Sequence, residues 1–147
     1  MSKNNRKIHL ELTIEQAQAL IDAADLYARL GIGQFEEFTS LMRFEVIKMA
    51  DYNGKTSTPV PRNVLDEVEQ HVSAIKALIG HPRNGSYGIG HPSLHATVGR
   101  NYEIKKVLEQ AVAYERDPNP DFKGVNYDGL IVRYTSDPAP VAKAVDG

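Results

Sequence analysis

Histidine is the first chemistry to weigh. His81, His91 and His95 fall within one stretch, and His91 and His95 have the i, i+4 spacing of a helical metal pair. Pro92 and the glycines around it oppose a regular helix there, and no carboxylate sits between the two histidines where a metalloprotease keeps its base. The chain has no cysteine, which excludes disulfides, thiolate zinc sites, iron–sulfur clusters and cysteine nucleophiles. These histidines read as loop residues, and no metal or cofactor is expected. The carboxylates offer little more. Glu36 and Glu37 are adjacent, so on a helix they point about 100° apart and cannot flank one bond; they suit the first turn of a helix, where the dipole favours negative charge. Asp117 and Asp121 lie in a proline-rich break. There is no phosphate loop, no GxGxxG after a strand and no GxSxG elbow.

Binding groups are easier to find than reacting ones. Gly85-Ser86-Tyr87-Gly88-Ile89-Gly90 is a glycine-rich loop able to turn backbone N–H groups toward a phosphate. Arg29, Arg100 and Arg116 mark helix ends, and Arg62 and Arg83 flank a third helix. Two or three guanidinium groups with a stacking ring such as Tyr87 suit a small phosphorylated ligand that carries a base.

The elements that must position these groups can be read from periodicity. Residues 7–13 alternate, with Ile8, Leu10 and Leu12 on one face, as a half-buried strand does. Thr13 and Gln16 have the spacing of a capping box, and Ile14, Ala17, Leu20, Ile21, Ala24 and Ala28 form a helical stripe that Gly31 and Gly33 interrupt. A second stripe runs through Phe35, Phe38, Leu41, Met42, Val46 and Met49. Asn63 is a candidate N-cap for a third helix ending at Gly80. A fourth begins between Thr97 and Asn101 and ends before Asp117-Pro118. Asp128-Gly129, between residues 125–127 and 130–135, suits a type I′ hairpin turn. The predicted fold is α+β: four helices with a small antiparallel sheet made from the N-terminal strand and the C-terminal hairpin. One domain over residues 1–147 is expected, its ordered core about 7–136 and 137–147 a flexible tail.

Of the 147 residues, 17 are Lys or Arg and 19 Asp or Glu, a formal charge of -2. So little net field argues against long nucleic acid and against an anionic membrane surface. No apolar run has the length of a membrane span.

Four stretches together carry a resemblance: Leu26-Tyr27-Ala28-Arg29-Leu30-Gly31-Ile32-Gly33-Gln34-Phe35-Glu36-Glu37, Asn84-Gly85-Ser86-Tyr87-Gly88-Ile89, Asn101-Tyr102-Glu103-Ile104 and Ala113-Tyr114-Glu115-Arg116. In this order the chain, over roughly residues 8–135, resembles the first-described Thoeris anti-defence proteins of bacteriophages. Members of that family are signal sponges that bind the cyclic ADP-ribose isomers made by bacterial TIR-domain immune enzymes without cleaving them; some, as hexamers, also hold cyclic oligonucleotides at a separate site. The resemblance implies a non-enzymatic cyclic-nucleotide binder acting as a homo-oligomer, dimer or hexamer, in the cytoplasm of the infected bacterium. Carried over by position, it points to Arg29 with Gln34, to the Tyr87-Gly88 loop and to Arg116. Tyr87 would stack on the adenine, Arg29 and Arg116 would pair with the pyrophosphate, and Arg100 and Asn101 would contact ribose or phosphate. The chain departs from the family at residues 91–100, rich in histidine and glycine where relatives start a helix with acidic residues. The alternative is a phage accessory protein that binds a host or phage protein through its helical faces, with Phe35, Phe38 and Phe44 as contacts.

Overall fold

The computed structural model describes residues 6–51 and 53–147. Two long helices carry it: α1, Ile14–Gly31, and α4, Ala96–Arg116. They run antiparallel, with Ala17 and Ile21 of α1 against Val112 of α4 at one end, flanked by Ile14 and Leu108, and Gly31 against Val98 at the other. The approach at Gly31 is so close that a Cβ would come within 2.5 Å of Val98 Cγ2. Thr13 caps α1 as its spacing predicts: its hydroxyl accepts from the Gln16 N–H at 3.1 Å, and the Gln16 side chain accepts from the Thr13 N–H at 3.0 Å.

A short helix, α2 (Glu37–Arg43), packs against α1, and α3 (Arg62–Leu78) packs against α2. The second apolar stripe predicted a helix reaching Met49, but α2 stops at Arg43. There the N–H groups of Val46 and Ile47 both turn back to the Leu41 carbonyl, and Glu45 takes a left-handed φ of 59°. The β-branched pair Val46-Ile47 loses side-chain freedom in a helix and leaves it readily. α3 starts two residues earlier than expected, with Pro61 rather than Asn63 at its N-cap, because the ring of proline already holds the φ that position needs. Its end matches the reading: Gly80 is left-handed at φ 84°, and His81 N–H donates to the Lys76 carbonyl at 2.9 Å.

The α+β class holds, four helices and one small antiparallel sheet, but the sheet is built elsewhere than expected. Its strands are β1 (Met49–Ala50) and β2 (Ser57–Thr58), paired Met49 with Thr58 and Ala50 with Ser57. Asp51 ties the turn between them by accepting from the N–H groups of Lys55 and Thr56. Neither the predicted strand at 7–13 nor the predicted hairpin at 125–135 forms within the chain. The hairpin fails because α4 takes its backbone groups. Residues Val125–Tyr127 curl into a 3-10 turn whose carbonyls accept from Lys106 (3.3 Å) and Gln110 (2.9 Å). Asp128 sits at φ -67° while only Gly129 is left-handed, whereas a type I′ turn needs both positive. Without that hairpin, residues 7–13 have no strand to join. Asp137, the first residue past the expected core, is fastened to Arg100 at 2.7 Å. Among the described residues no helix is long and apolar enough to cross a membrane.

Candidate functional site

The turn from α1 into α2 is the platform on which the glycine-rich loop rests. Gly33 reverses the chain at φ 97°, and its missing side chain leaves room for the His81 imidazole, whose Nδ1 would lie 2.8 Å from a Cβ there. The Tyr87 N–H donates to the Ile32 carbonyl at 2.8 Å, which seats the loop on the turn. A ladder of rings follows. Phe35 meets the edge of His81 at 5.9 Å, His81 the edge of Tyr87 at 5.2 Å, and His91 stacks on Tyr87 at 4.3 Å with 26° between planes. Tyr87 remains 42% exposed.

Beside this ladder lies an open cleft of about 320 Å³ lined by Gln34, Glu36, Glu37, Lys76, Asn84, Gly85 and Ser86. Its floor is Lys76, 2% exposed, whose ammonium donates to Glu36 Oε1 at 2.6 Å and to the Gly85 carbonyl at 3.0 Å. One buried charge thus joins α3, the start of α2 and the glycine-rich loop. Partial burial pushes the Glu36 carboxyl up, but the Lys76 hydrogen bond and a backbone hydrogen bond outweigh it and hold it below its ordinary range.

Arg29, at the end of α1, donates through Nε to Asp25 Oδ2 at 2.7 Å and through Nη1 to Gln34 Oε1 at 2.9 Å, with Glu37 Oε1 at 3.7 Å. The hydrogen bond to Asp25, opposed by partial burial, raises the guanidinium above its usual range. Asp25 also accepts from Lys105 of α4 at 2.6 Å. Burial alone would raise the Asp25 carboxyl, yet the hydrogen bonds from Lys105 and Arg29 together lower it. A guanidinium has five N–H donors, and these two bonds do not use them all.

The residues carried by the resemblance therefore divide into three places. Arg29, Gln34, Tyr87 and Gly88 come together at the α1–α2 turn. Arg100 and Asn101 lie on the first turns of α4, and Arg100, with His91, lines a second, wider cleft of about 590 Å³. There Arg100 is bound to Asp137, and the Asn101 side chain donates to the Thr97 carbonyl at 2.8 Å. The expectation that Arg116 shares a pyrophosphate with Arg29 is not met within one chain. Arg116 donates to Gln18 Oε1 at 2.8 Å, and Gln18 is eleven residues, about 16 Å of helix, from Arg29. Antiparallel packing puts the C-terminus of α4 beside the N-terminus of α1, so the two arginines end up at opposite ends.

The histidines have structural duties. His95 caps α4, its Nδ1 accepting from the Thr97 N–H at 3.2 Å, which is why the helix begins before the expected Thr97. The Ser93 N–H donates to His91 Nδ1 at 3.1 Å. Among the described residues no three His, Cys, Asp or Glu side chains gather as a metal site.

Sequence reading overlooked Lys76 and Glu103, the two most deeply buried charges. Glu103, 1% exposed, accepts from Arg133 Nε at 2.7 Å and from the Thr135 hydroxyl at 2.9 Å, fastening residues 133–135 across α4. A signal existed for Lys76: it follows Val72 by four residues, which places a charge inside the apolar stripe of α3. No protein-family model, no curated protein and no solved structure matches the chain.

Proposed function

We propose that the chain is a non-enzymatic sponge for a cyclic nucleotide immune signal, a cyclic ADP-ribose isomer, produced during phage infection of a bacterium. The observation that carries the reading is the seating of the Tyr87 loop on the α1–α2 turn, which gathers a half-exposed aromatic face, the Arg29–Gln34 pair and the polar cleft over Lys76 into one neighbourhood. An adenine stacks on the Tyr87–His91 pair, the pyrophosphate takes the remaining Arg29 donors, and Gln34, Asn84 and Ser86 supply contacts for ribose hydroxyls. The site has donors, acceptors and a stacking face, which is what tight ground-state binding requires; catalysis would require groups that act more strongly in a transition state. Arg116 joins a ligand held at Arg29 only where a second chain supplies it, and assembly as a dimer or hexamer belongs to the same proposal.

Calorimetry with cyclic ADP-ribose isomers tests the reading. Binding is expected, with the ligand recovered intact after heat denaturation of the complex, and Tyr87→Ala should weaken it by about tenfold to a hundredfold, the 1–3 kcal/mol of one stacked base. Recovery of a hydrolysed product, or full affinity in the folded Tyr87→Ala variant, rejects it. The exposed Phe44, Phe38 and Leu78 favour a second reading, a protein-binding role for the helical faces. Co-purification of a host protein without bound nucleotide would support that instead.

A further inference from the structure

Charges at the α1–α2 turn are bonded to one another, with one carboxylate over. Arg29 donates to Asp25, Lys105 donates to the same Asp25, and Lys76 donates to Glu36. Glu37, the first residue of α2, lines the same cleft as Glu36 and Lys76. Yet among the described residues its side chain makes no hydrogen bond. Its ion pair is with Arg29, whose Nη1 lies 3.7 Å from Glu37 Oε1, beyond hydrogen-bond length. The side chain is 30% exposed, so solvent reaches it only in part. A carboxylate has about four lone-pair sites and no donor of its own. The dipole of α2 favours an acid in its first turn, but no group of the described chain donates to these oxygens. They are open to O–H donors from a ligand.

We propose that Glu37 accepts from the free hydroxyls of the ligand's adenosine ribose, and that its charge selects a ribose bearing hydroxyl over one bearing a phosphate monoester. This rests on the cyclic ADP-ribose reading above. There the adenine lies on Tyr87 and the pyrophosphate on Arg29, and the adenosine ribose is the unit that joins them. Ser86, which lines the cleft, directly precedes Tyr87, so a ribose leaving the stacked base falls over the cleft.

A hydroxyl that donates to a carboxylate makes a charge-assisted bond, about twice as strong as a neutral one. A phosphate at the same oxygen removes that proton and sets negative charge against negative charge. Glu36 does not take this part, because the Lys76 ammonium holds it at 2.6 Å. Dinucleotide-binding folds use the same contrast: an acid on the ribose hydroxyl, and an arginine where a 2′-phosphate must be accepted. Here the nearby arginine is engaged by Asp25 and Gln34, and the acid is the group left unbonded. Specificity of this kind comes from what the site repels as well as from what it holds.

Calorimetry of the full chain compares each cyclic ADP-ribose isomer with two analogues altered at a free hydroxyl of the adenosine ribose, one phosphorylated and one deoxygenated. The phosphorylated analogue is expected to bind about a hundredfold more weakly, through like charge in contact. The deoxy analogue should bind about tenfold more weakly, through the lost charge-assisted bond. Glu37→Gln keeps the shape and one acceptor oxygen but removes the charge. It should weaken the parent isomer by about tenfold or less and bring the phosphorylated analogue to within about tenfold of it. A merely structural Glu37 would weaken all the ligands alike, so the ratio of affinities is the readout. Equal binding of parent and phosphorylated analogue by the wild-type chain, a deoxy analogue at full affinity, or an unchanged ratio in the folded variant overturns the role of Glu37 and leaves the sponge reading standing. Failure of every cyclic isomer to bind overturns both. Should Glu37→Gln fail to fold, the two wild-type ratios decide.

Discussion

The Lys76–Glu36 pair makes an asymmetric prediction. Its two members differ in burial: the Lys76 side chain is 2% exposed and that of Glu36 52%. Breaking a buried ion pair by deleting one partner costs about 3–5 kcal/mol when the remaining charge is stranded. Glu36→Ala strands the ammonium on the Gly85 carbonyl alone, and with some water reaching it through the open cleft the expected cost is about 2–3 kcal/mol. Lys76→Met instead leaves Glu36, which hydrates where it stands, and replaces a long side chain by an adaptable apolar one. Its cost is about 1 kcal/mol, that of the lost hydrogen bond to Gly85. Glu36 makes no side-chain capping bond to α2, so its replacement removes no cap. Urea unfolding of the two single variants and the double variant, at unchanged m, measures all three terms. The double variant should resemble Lys76→Met alone, since nothing buried is left unpaired. Equal losses for the two single variants, or simple additivity in the double one, would refute the assignment of Lys76 as the buried and costly partner.

Further expectations follow from the same geometry. Asp25 is held below its ordinary 3.8, so as pH falls the unfolded chain takes up this proton first; its stabilisation is full above about pH 4 and is lost as pH drops toward the folded value. Asp25→Asn should therefore flatten the acid limb of a stability–pH curve, and an unchanged slope counts against the Lys105–Asp25–Arg29 cluster. Gly33→Ala combines a left-handed φ with a collision at His81, and should lower stability by about 1–3 kcal/mol in thermal unfolding, whereas Gly124→Ala, with open space around it, should change it little. Glu103→Ala leaves Arg133 and Thr135 without their buried acceptor, so faster hydrogen exchange at residues 133–135 is expected with about 2–3 kcal/mol of lost stability.

Legibility tracked the range of the interactions involved. The capping box at Thr13, the stop at Asp117-Pro118 and the left-handed Gly80 depend on residues within a turn of one another, and each was readable from spacing. The strand at 7–13 was misplaced for the opposite reason: alternation says that a segment can pair, while what it pairs with depends on distant chain. The 125–135 hairpin lost to α4 because Lys106 and Gln110 satisfy its carbonyls, a competition that turn propensity at Asp128-Gly129 cannot register. In the candidate site, residue types suited to binding were visible at Arg29, Gln34 and Tyr87, but the function of Lys76 was not, since a lysine in an apolar stripe acquires a meaning only when Glu36 and the Gly85 carbonyl close over it.

By itself the sequence determined the helices, some of their ends such as those at Thr13, Gly80 and Asp117, and a stock of groups suited to binding. Those follow from steric preferences and hydrogen bonds between near neighbours. The tertiary structure decided company: Tyr87 with Arg29, Arg116 away from both, and Lys76 buried beneath the loop. The first and third depend on the loop seating at the Ile32 carbonyl and on Glu36 and Gly85 closing over Lys76; the place of Arg116 depends on α1 and α4 lying antiparallel, where Gly31 approaches Val98 closely.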